Sequence, residues 1–271
     1  MTDRYIRPLV QRDIARPSGA FSIGAVGDWF THAELLQRKR APQVVQAADL
    51  QGAALTALTQ SRTAYPQIMG IVNTTPDSFS DGGLHAAAKD AIAGGLAMAK
   101  AGAGILDIGG ESTRPGAKTV DVEEEIARVV PVIAGLRAQG FKGRISVDTR
   151  KAAVARAALN AGADMINDVS GFTYDPALAS VAARAGVPVC VMHGPVDPAI
   201  MHHDPRYDDV LLDVYDFLQT QIEALEVRGV ARNRIIADPG IGFGKTLTHN
   251  LALLARLSVF HSLGVPILLG A

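Results

Sequence analysis

Residues 68–83 read IMGIVNTTPDSFSDGG and decide how the rest of the chain is interpreted. The stretch begins with the apolar run IMGIV, which is typical of a strand buried on both faces of a sheet. At Asn73 it changes into a polar loop with hydroxyls, two carboxylates and two terminal glycines. In α/β proteins, functional side chains stand at the carboxyl ends of buried strands. The pattern therefore predicts a strand with a functional loop at its end, and a plain surface loop is the alternative.

The same construction recurs along the chain. A helical stretch ends at a glycine, a buried strand follows, and a polar residue stands where that strand ends. The glycines at these junctions are Gly102, Gly162, Gly186, Gly229 and Gly264. With the opening strand and the one before Asp148, this pattern predicts seven strands that alternate with helices, which indicates a parallel sheet.

Polar residues stand at nearly every predicted strand end. They are Asn73, Asp107, Asp148, Asn167 with Asp168, Met192 with His193, and Asp238. A doubly wound open sheet would concentrate its ligand contacts at one switch point. Because nearly every strand contributes here, we predict an α/β fold of the (β/α)8 TIM-type barrel with its site on the C-terminal face.

Residues 1–65 differ from the remainder of the chain and are predicted to form a short N-terminal helical extension of unknown role. Thr31 and Glu34 have the spacing of a capping box, which predicts a helix near LLQRKR, and Asp49 precedes a second helical stretch. Residues 66–271 are predicted to form the barrel domain.

Composition excludes several classes of protein. The 271 residues are 48% hydrophobic, with a formal net charge of −1, so neither nucleic acid nor an anionic membrane is an expected partner. The single cysteine, Cys190, excludes an internal disulfide framework. No apolar run approaches the ~18 residues of a membrane span, and the first residues do not resemble a secretory signal. The expected location is the cytoplasm.

The strand-end residues suit a ligand that offers several N–H donors. Asp148, Asn167 and Asp238 would accept hydrogen bonds from an edge such as that of a 2-amino-pyrimidinone ring. The alternative for each is a strand-end side chain that caps a loop or the next helix.

Two loops suggest anion and cation contacts. Thr113 and Arg114 lie in ESTRPG, a glycine-flanked loop suited to phosphate or carboxylate, with a solvated surface arginine as the alternative. Asn73 offers an oxygen ligand to Mg²⁺, which is usually bridged to proteins by substrate phosphates.

Other motifs do not support their usual functions. The stretch GIGFGKT (240–246) ends like a phosphate-binding loop but lacks that loop's first glycine. His202 and His203 lack the spacing of a zinc site. Cys190 is interpreted as a small hydrophobe, and no nucleophile elbow is present.

Six ordered blocks resemble the dihydropteroate synthases, a pterin-binding family. They are MGIVNTTPDSFSDGG, DIGGESTRPGA, SVDT, INDVSG, VMH and DPGIGFGKTLTHNLALL, spread over residues 69–254. The resemblance implies that 4-aminobenzoate is joined to 6-hydroxymethyl-7,8-dihydropterin diphosphate to give 7,8-dihydropteroate and pyrophosphate, in a folate-pathway reaction that sulfonamides target.

The resemblance also assigns roles to individual residues. The catalytic residues are Asp148, Asn73 and Arg114, with Asn73 as the Mg²⁺ contact. The pterin diphosphate is held by Thr113, Asp148, Asn167, Met192 and Asp238, and the aminobenzoate pocket is walled by Phe79, Arg114 and Pro115. A homodimer is a family-level expectation.

The chain also departs from the family pattern. It stops at Ala271, where a Ser-Arg-Lys block and an eighth βα unit would follow. The expectation is therefore a barrel with seven strands present and the eighth unit missing. A truncated pterin-binding module with impaired or no activity is the alternative to the synthase. A pterin-dependent methyltransferase is a third reading, ranked lower because it has no evident use for both signature loops.

Overall fold

Strands and helices alternate from Met69 onward, as the sequence predicts. The structure is a computed structural model and describes residues 5–23, 27–50, 52–59, 66–74, 81–112, 119–194 and 205–270. The strands are β1 (Tyr5–Pro8), β2 (Phe21–Ser22), β3 (Trp29–Phe30), β4 (His32–Leu36), β5 (Gln43–Gln46), β6 (Met69–Asn73), β7 (Ile105–Gly109), β8 (Arg144–Asp148), β9 (Met165–Asp168), β10 (Val189–Met192) and β11 (Ile235–Asp238). The helices are α1 (Ala53–Thr59), α2 (Asp81–Lys100), α3 (Val122–Ala138), α4 (Ala152–Asn160), α5 (Leu178–Ala185), α6 (Val210–Val227) and α7 (Leu247–Ala255). None of the helices in these ranges is long and apolar enough to cross a membrane.

The main sheet has the strand order of a barrel. Its six strands lie in the order β6-β7-β8-β9-β10-β11, and every neighbouring pair is parallel. A doubly wound sheet reverses its order at a switch point, whereas a (β/α)8 barrel adds its strands consecutively. The predicted TIM-type α/β fold is therefore confirmed. The seventh predicted strand runs beside β11, where Ile267 forms a parallel bridge with Ala237.

Alternation along the strands separates two faces. One face packs against the helices and contains fully or nearly fully buried apolar residues: Val72, Leu106, Ile108, Ile145, Val147, Ile166, Val189, Val191, Ile235 and Ala237. Because successive side chains of a strand point to opposite faces, the residues between these face the barrel interior. The junctions are also as predicted, since α5 ends at Gly186 with φ 64°, a left-handed conformation that favours glycine.

The predicted helix near LLQRKR is wrong. Residues 32–36 form β4, which lies between β1 and β5 in a three-stranded antiparallel sheet. Pairing on both edges satisfies the backbone of this segment, and it buries Ala33 and Leu36. These tertiary contacts outweigh the capping-box spacing of Thr31 and Glu34. The second predicted helix is confirmed as α1.

The N-terminal sheet packs directly on the barrel helices. The Tyr5 side chain is 2% exposed, lies edge-on to Tyr215 of α6 with ring centroids 5.2 Å apart, and donates a hydrogen bond to Asp216 at 2.9 Å. Arg38 follows β4 and donates to Asp213 and Asp216, each at 2.6 Å. Tyr5 and Leu36 belong to the same apolar core as the barrel strands. The contacts therefore join this sheet to α6.

Candidate active site

The last inward-facing residues of the strands form a row along one edge of the sheet, with one step between β9 and β10, where Asn167 pairs with Cys190 rather than with Met192. Asn73, Gly109, Asp148 and Asn167 are paired in register across β6, β7, β8 and β9. Met192 and Asp238 are paired in the same way at the ends of β10 and β11. Of the predicted site residues, the sheet therefore brings together Asn73, Asp148, Asn167, Met192 and Asp238.

Gly109 leaves space in this row. A Cβ atom at Gly109 would lie 3.6 Å from both Cβ and Oδ2 of Asp148, which is ordinary van der Waals contact, so the nearest side chain to this position is that of Asp148.

Asp148 lies in a strongly acidic environment. Part of its surface faces the barrel mouth, but most of the side chain is surrounded by protein. Burial raises the pKa of Asp148 well above its usual range, and the negative charges of Asp107 and Asp168 raise it further. These causes disfavour the ionised carboxylate, and a ligand that carries positive charge or several N–H donors would favour it again.

The Asn167 side chain is hydrogen-bonded to Asp107, which lies deeper in the barrel. The strand pairing places Asp107 one inward-facing position beneath Gly109, in the middle of β7 rather than at its end. The Asn167 side-chain amide donates to Oδ2 of Asp107 at 2.8 Å, across the intervening strand. The neighbouring Asp168 has a structural role, since its carboxylate accepts from the backbone N–H groups of Ser170 and Phe172, both at 2.8 Å.

The loop that follows β11 fixes the position of the Asp238 carboxylate. Its Oδ1 accepts the backbone N–H of Gly240 at 2.7 Å, and the side chain is 6% exposed. Burial raises the pKa of Asp238 to about 6, although the Gly240 hydrogen bond and the charge of Lys245 oppose that shift. Gly240 must be glycine, because a Cβ atom there would lie 2.0 Å from the carbonyl oxygen of His193.

Lys245 is a residue that the sequence reasoning set aside. Its ammonium donates to the carbonyl oxygens of Gly240 at 2.8 Å, Phe243 at 2.9 Å and His193 at 3.1 Å. The side chain is 5% exposed, and burial lowers the pKa of Lys245 to about 7, with the nearby Asp238 charge opposing the shift. The sequence signal was a lysine in a glycine-rich loop directly after a strand end, without the spacing of a phosphate-binding loop.

His193 is neutral in this arrangement. Burial and the adjacent Lys245 charge lower the pKa of His193 to about 3. A charged Lys245 can only donate, so in that state Nδ1 of His193, 3.0 Å away, is an acceptor that shares the three N–H groups with the carbonyl oxygens. The neutral form is favoured at neutral pH, so we assign His193 no general-acid role.

A buried ionic cluster lies beside Asp148. Glu111 binds Arg150 at 2.7 Å and Lys151 at 2.5 Å, and Lys151 also binds Glu125 at 2.5 Å. All four side chains are at most 11% exposed, and the two negative and two positive charges balance. Lys151 further donates to the carbonyl oxygen of Val120 at 2.6 Å. The cluster therefore connects the residues that directly follow β8 with Glu111 and Val120, which lie on either side of residues 112–119.

Several predicted residues lie outside the described part of the chain. They are Phe79, Thr113, Arg114 and Pro115, together with His202 and His203. Cys190 is fully buried, in agreement with its interpretation as a small hydrophobe.

The chain matches a known family over most of its length. Residues 69–271 match the family described as pterin binding enzyme. The dihydropteroate synthase of Escherichia coli (strain K12) is 48% identical over 207 residues, which cover 76% of this chain and 73% of that protein.

Solved structures of related proteins agree with the fold. The structure of Xanthomonas albilineans dihydropteroate synthase with 4-aminobenzoic acid is 51% identical, with a TM-score of 0.69, over 76% of this chain and 72% of that one. The structure of that organism's synthase in complex with 7,8-dihydropteroate is 47% identical, with a TM-score of 0.65, over 76% and 72% of the two chains.

Proposed function

Because this chain belongs to the pterin-binding enzyme family, we propose that it is an enzyme that catalyses the dihydropteroate synthase reaction of folate biosynthesis. It joins 4-aminobenzoate to 6-hydroxymethyl-7,8-dihydropterin diphosphate and releases 7,8-dihydropteroate and pyrophosphate. The observation that supports this best is the row of acceptor side chains, Asp148, Asn167 and Asp238, around one barrel mouth. Such a row suits the N–H-rich edge of a pterin ring.

The reaction makes one bond and breaks another. The amine nitrogen of 4-aminobenzoate forms a C–N bond with the pterin methylene carbon, whose C–O bond to the diphosphate breaks with its electron pair. The methylene carbon is positively charged at the transition state, so an ionised carboxylate close to the pterin ring stabilises it. Asp148 is the residue we assign to this role, because it stands in the row beside Asn167.

The amine needs no strong base. An arylamine is neutral near pH 7 and attacks with its own lone pair, and the proton released afterwards passes to solvent. This agrees with the environment of His193, whose pKa of about 3 makes it too weak a base to take that proton. Catalysis then rests mainly on positioning and charge stabilisation.

The remaining assignments are proposals by family resemblance. Thr113 and Met192 would bind the pterin diphosphate together with Asp148, Asn167 and Asp238. Met192 is 4% exposed and is paired in register with Asp238. Phe79, Arg114 and Pro115 would wall the aminobenzoate pocket, with Arg114 also catalytic.

Mg²⁺ is the proposed cofactor. In the described ranges, no group of three His, Cys, Asp or Glu side chains is placed to hold a metal ion. We therefore propose that substrate phosphates supply most of the ligands of this ion. The exposed amide oxygen of Asn73, at the barrel mouth, would supply one more hard ligand. Such an ion would offset negative charge on the leaving pyrophosphate.

We further propose that the N-terminal sheet is a structural brace for the barrel domain, 66–271. The contacts of Tyr5 and Arg38 with α6 support this role. A homodimer and a cytoplasmic location are proposed from family resemblance and from the single cysteine, respectively.

Pyrophosphate release on mixing the two substrates tests the proposed reaction. We expect release only when both substrates and Mg²⁺ are present, with 7,8-dihydropteroate identified by mass spectrometry. Tight binding of the pterin without release would instead support a binding module and overturn the proposed activity. Methyl transfer from a methylated tetrahydrofolate would support the methyltransferase.

A further inference from the structure

Asp107 is a buried carboxylate that none of the proposed roles uses. It lies in the middle of β7, faces the barrel interior and is 4% exposed. Its Oδ1 atom is buried and makes no hydrogen bond of good geometry among the described residues, although the neighbouring Ser146 hydroxyl lies close enough to lower the pKa of this carboxyl. Buried polar atoms without partners are costly, so a residue kept in this state calls for an explanation.

The hydrogen bond between Asp107 and Asn167 suggests why a carboxylate is buried at this position. The Asn167 amide can be turned in two ways, which exchange its oxygen and its NH₂ group. The Asn167 NH₂ group donates to Oδ2 of Asp107 at 2.8 Å, and this bond favours the ionised carboxylate against the burial that raises the pKa of Asp107. The amide oxygen of Asn167 is then left for a ligand, and in the part of the chain that the structure describes it receives no side-chain hydrogen bond.

We infer that Asp107 is a positioning residue, which turns the Asn167 amide so that its oxygen faces the ligand. The ligand edge that meets Asn167 must then present an N–H donor. With one carboxylate on the neighbouring strand, at Asp148, and another at the end of β11, at Asp238, the mouth is built to accept from several N–H groups at once. The inference rests on the proposed pterin function and specifies the hydrogen-bonding edge that Asn167 recognises.

A double-mutant cycle on pterin binding tests the inference. The variants are Asp107→Ala, Asn167→Ala and the double variant, and the probe is 6-hydroxymethylpterin, which binds without turnover because it lacks the diphosphate. In an otherwise unchanged chain, Asp107→Ala is expected to weaken binding roughly tenfold, by releasing the amide. In the Asn167→Ala background the same change is expected to weaken binding less than about twofold.

Two further variants separate positioning from general damage. Asp107→Asn keeps a carbonyl oxygen that can accept from the Asn167 NH₂, so it should bind the pterin within about threefold of the unmodified chain. Cys190→Ala removes a buried inward-facing side chain that is paired in register with Asn167, and it should leave pterin affinity unchanged. Thermal unfolding of every variant verifies that it is folded.

The possible outcomes are distinct. Equal losses from Asp107→Ala in both backgrounds, or no loss in either, would overturn the positioning role even if the unmodified chain releases pyrophosphate. If the unmodified chain neither binds the pterin nor releases pyrophosphate, the proposed function fails, and this inference fails with it.

Discussion

The ammonium of Lys245 lies 3.0 Å from Nδ1 of His193, and this pair ties the loop after β11 to the end of β10. The same ammonium donates to three backbone carbonyl oxygens, two of them in its own loop. Gly240, whose carbonyl is one of the three, also donates its N–H to Asp238. The geometry of the Asp238 carboxylate therefore depends on a lysine that does not itself face the row.

Replacing Lys245 by methionine should destabilise the protein. The side chain keeps its length, but buried carbonyl oxygens lose their donor, which should lower the free energy of unfolding by about 2–4 kcal/mol. Urea unfolding measures this change, and pterin affinity should fall with it because the loop no longer holds Asp238. The exposed Lys142, replaced in the same way, is the matched control and should change stability by less than about 0.5 kcal/mol. Equal stability of the two variants would contradict the role given to Lys245.

Replacing Asp148 by asparagine should impair turnover strongly. The change keeps the shape but removes the negative charge assigned to stabilising the pterin methylene carbon, and we expect a loss of roughly 100-fold or more in kcat. Asp238→Asn should chiefly weaken pterin binding. Pyrophosphate release measures both effects, and a near-normal rate for Asp148→Asn would remove Asp148 from the mechanism.

The pH dependence of kcat/KM, which reports the pKa values of the free enzyme, is a second test of Asp148. Only the ionised carboxylate can stabilise the positive charge, and burial raises the pKa of Asp148 well above that of an ordinary carboxyl. Activity is therefore expected to be lost, as pH falls, at a clearly higher pH than 3.8, the ordinary value for Asp. An acidic limb at or below the ordinary value would show that a different group controls activity.

Replacing Glu111 by glutamine should unbalance the buried cluster. The cluster would then keep one carboxylate, Glu125, which binds Lys151, against two positive charges, and such an imbalance of buried charge costs about 3–5 kcal/mol. The exposed pair between Arg232 and Glu226 is the matched comparison, and Glu226→Gln should cost less than about 1 kcal/mol. Chemical unfolding compares the two, and similar small effects would mean that the cluster contributes little.

Truncating Tyr5 tests whether the N-terminal sheet and the barrel unfold together. Tyr5→Ala removes a buried ring from the contact with Tyr215 and should cost about 3–5 kcal/mol. A single transition, shifted as a whole, is expected for a brace that belongs to the same cooperative unit. Two separate transitions would instead identify an independent N-terminal domain. Tyr5→Phe, which loses only the hydrogen bond to Asp216, is the milder control.

The site was predicted in part. Strand ends and residue types placed Asp148, Asn167 and Asp238 in one row, because parallel strands bring their carboxyl ends to the same edge of a sheet. Asp107 was predicted to stand at a strand end, but β7 continues to Gly109, so Asp107 lies two residues before the end of the strand. Its bond to Asn167 joins residues 60 positions apart, a separation that local patterns do not detect.

The sequence by itself determined the parallel barrel, its helix-ending glycines and the polar residues at its strand ends. These features follow from local periodicity and from the backbone freedom of glycine, both of which are visible in short stretches. Only the tertiary structure decided that residues 32–36 form a strand, that Lys245 supports Asp238, and that Asp107 holds Asn167. The physical reason is that each of these depends on pairing or hydrogen bonds between segments that are brought together only by folding.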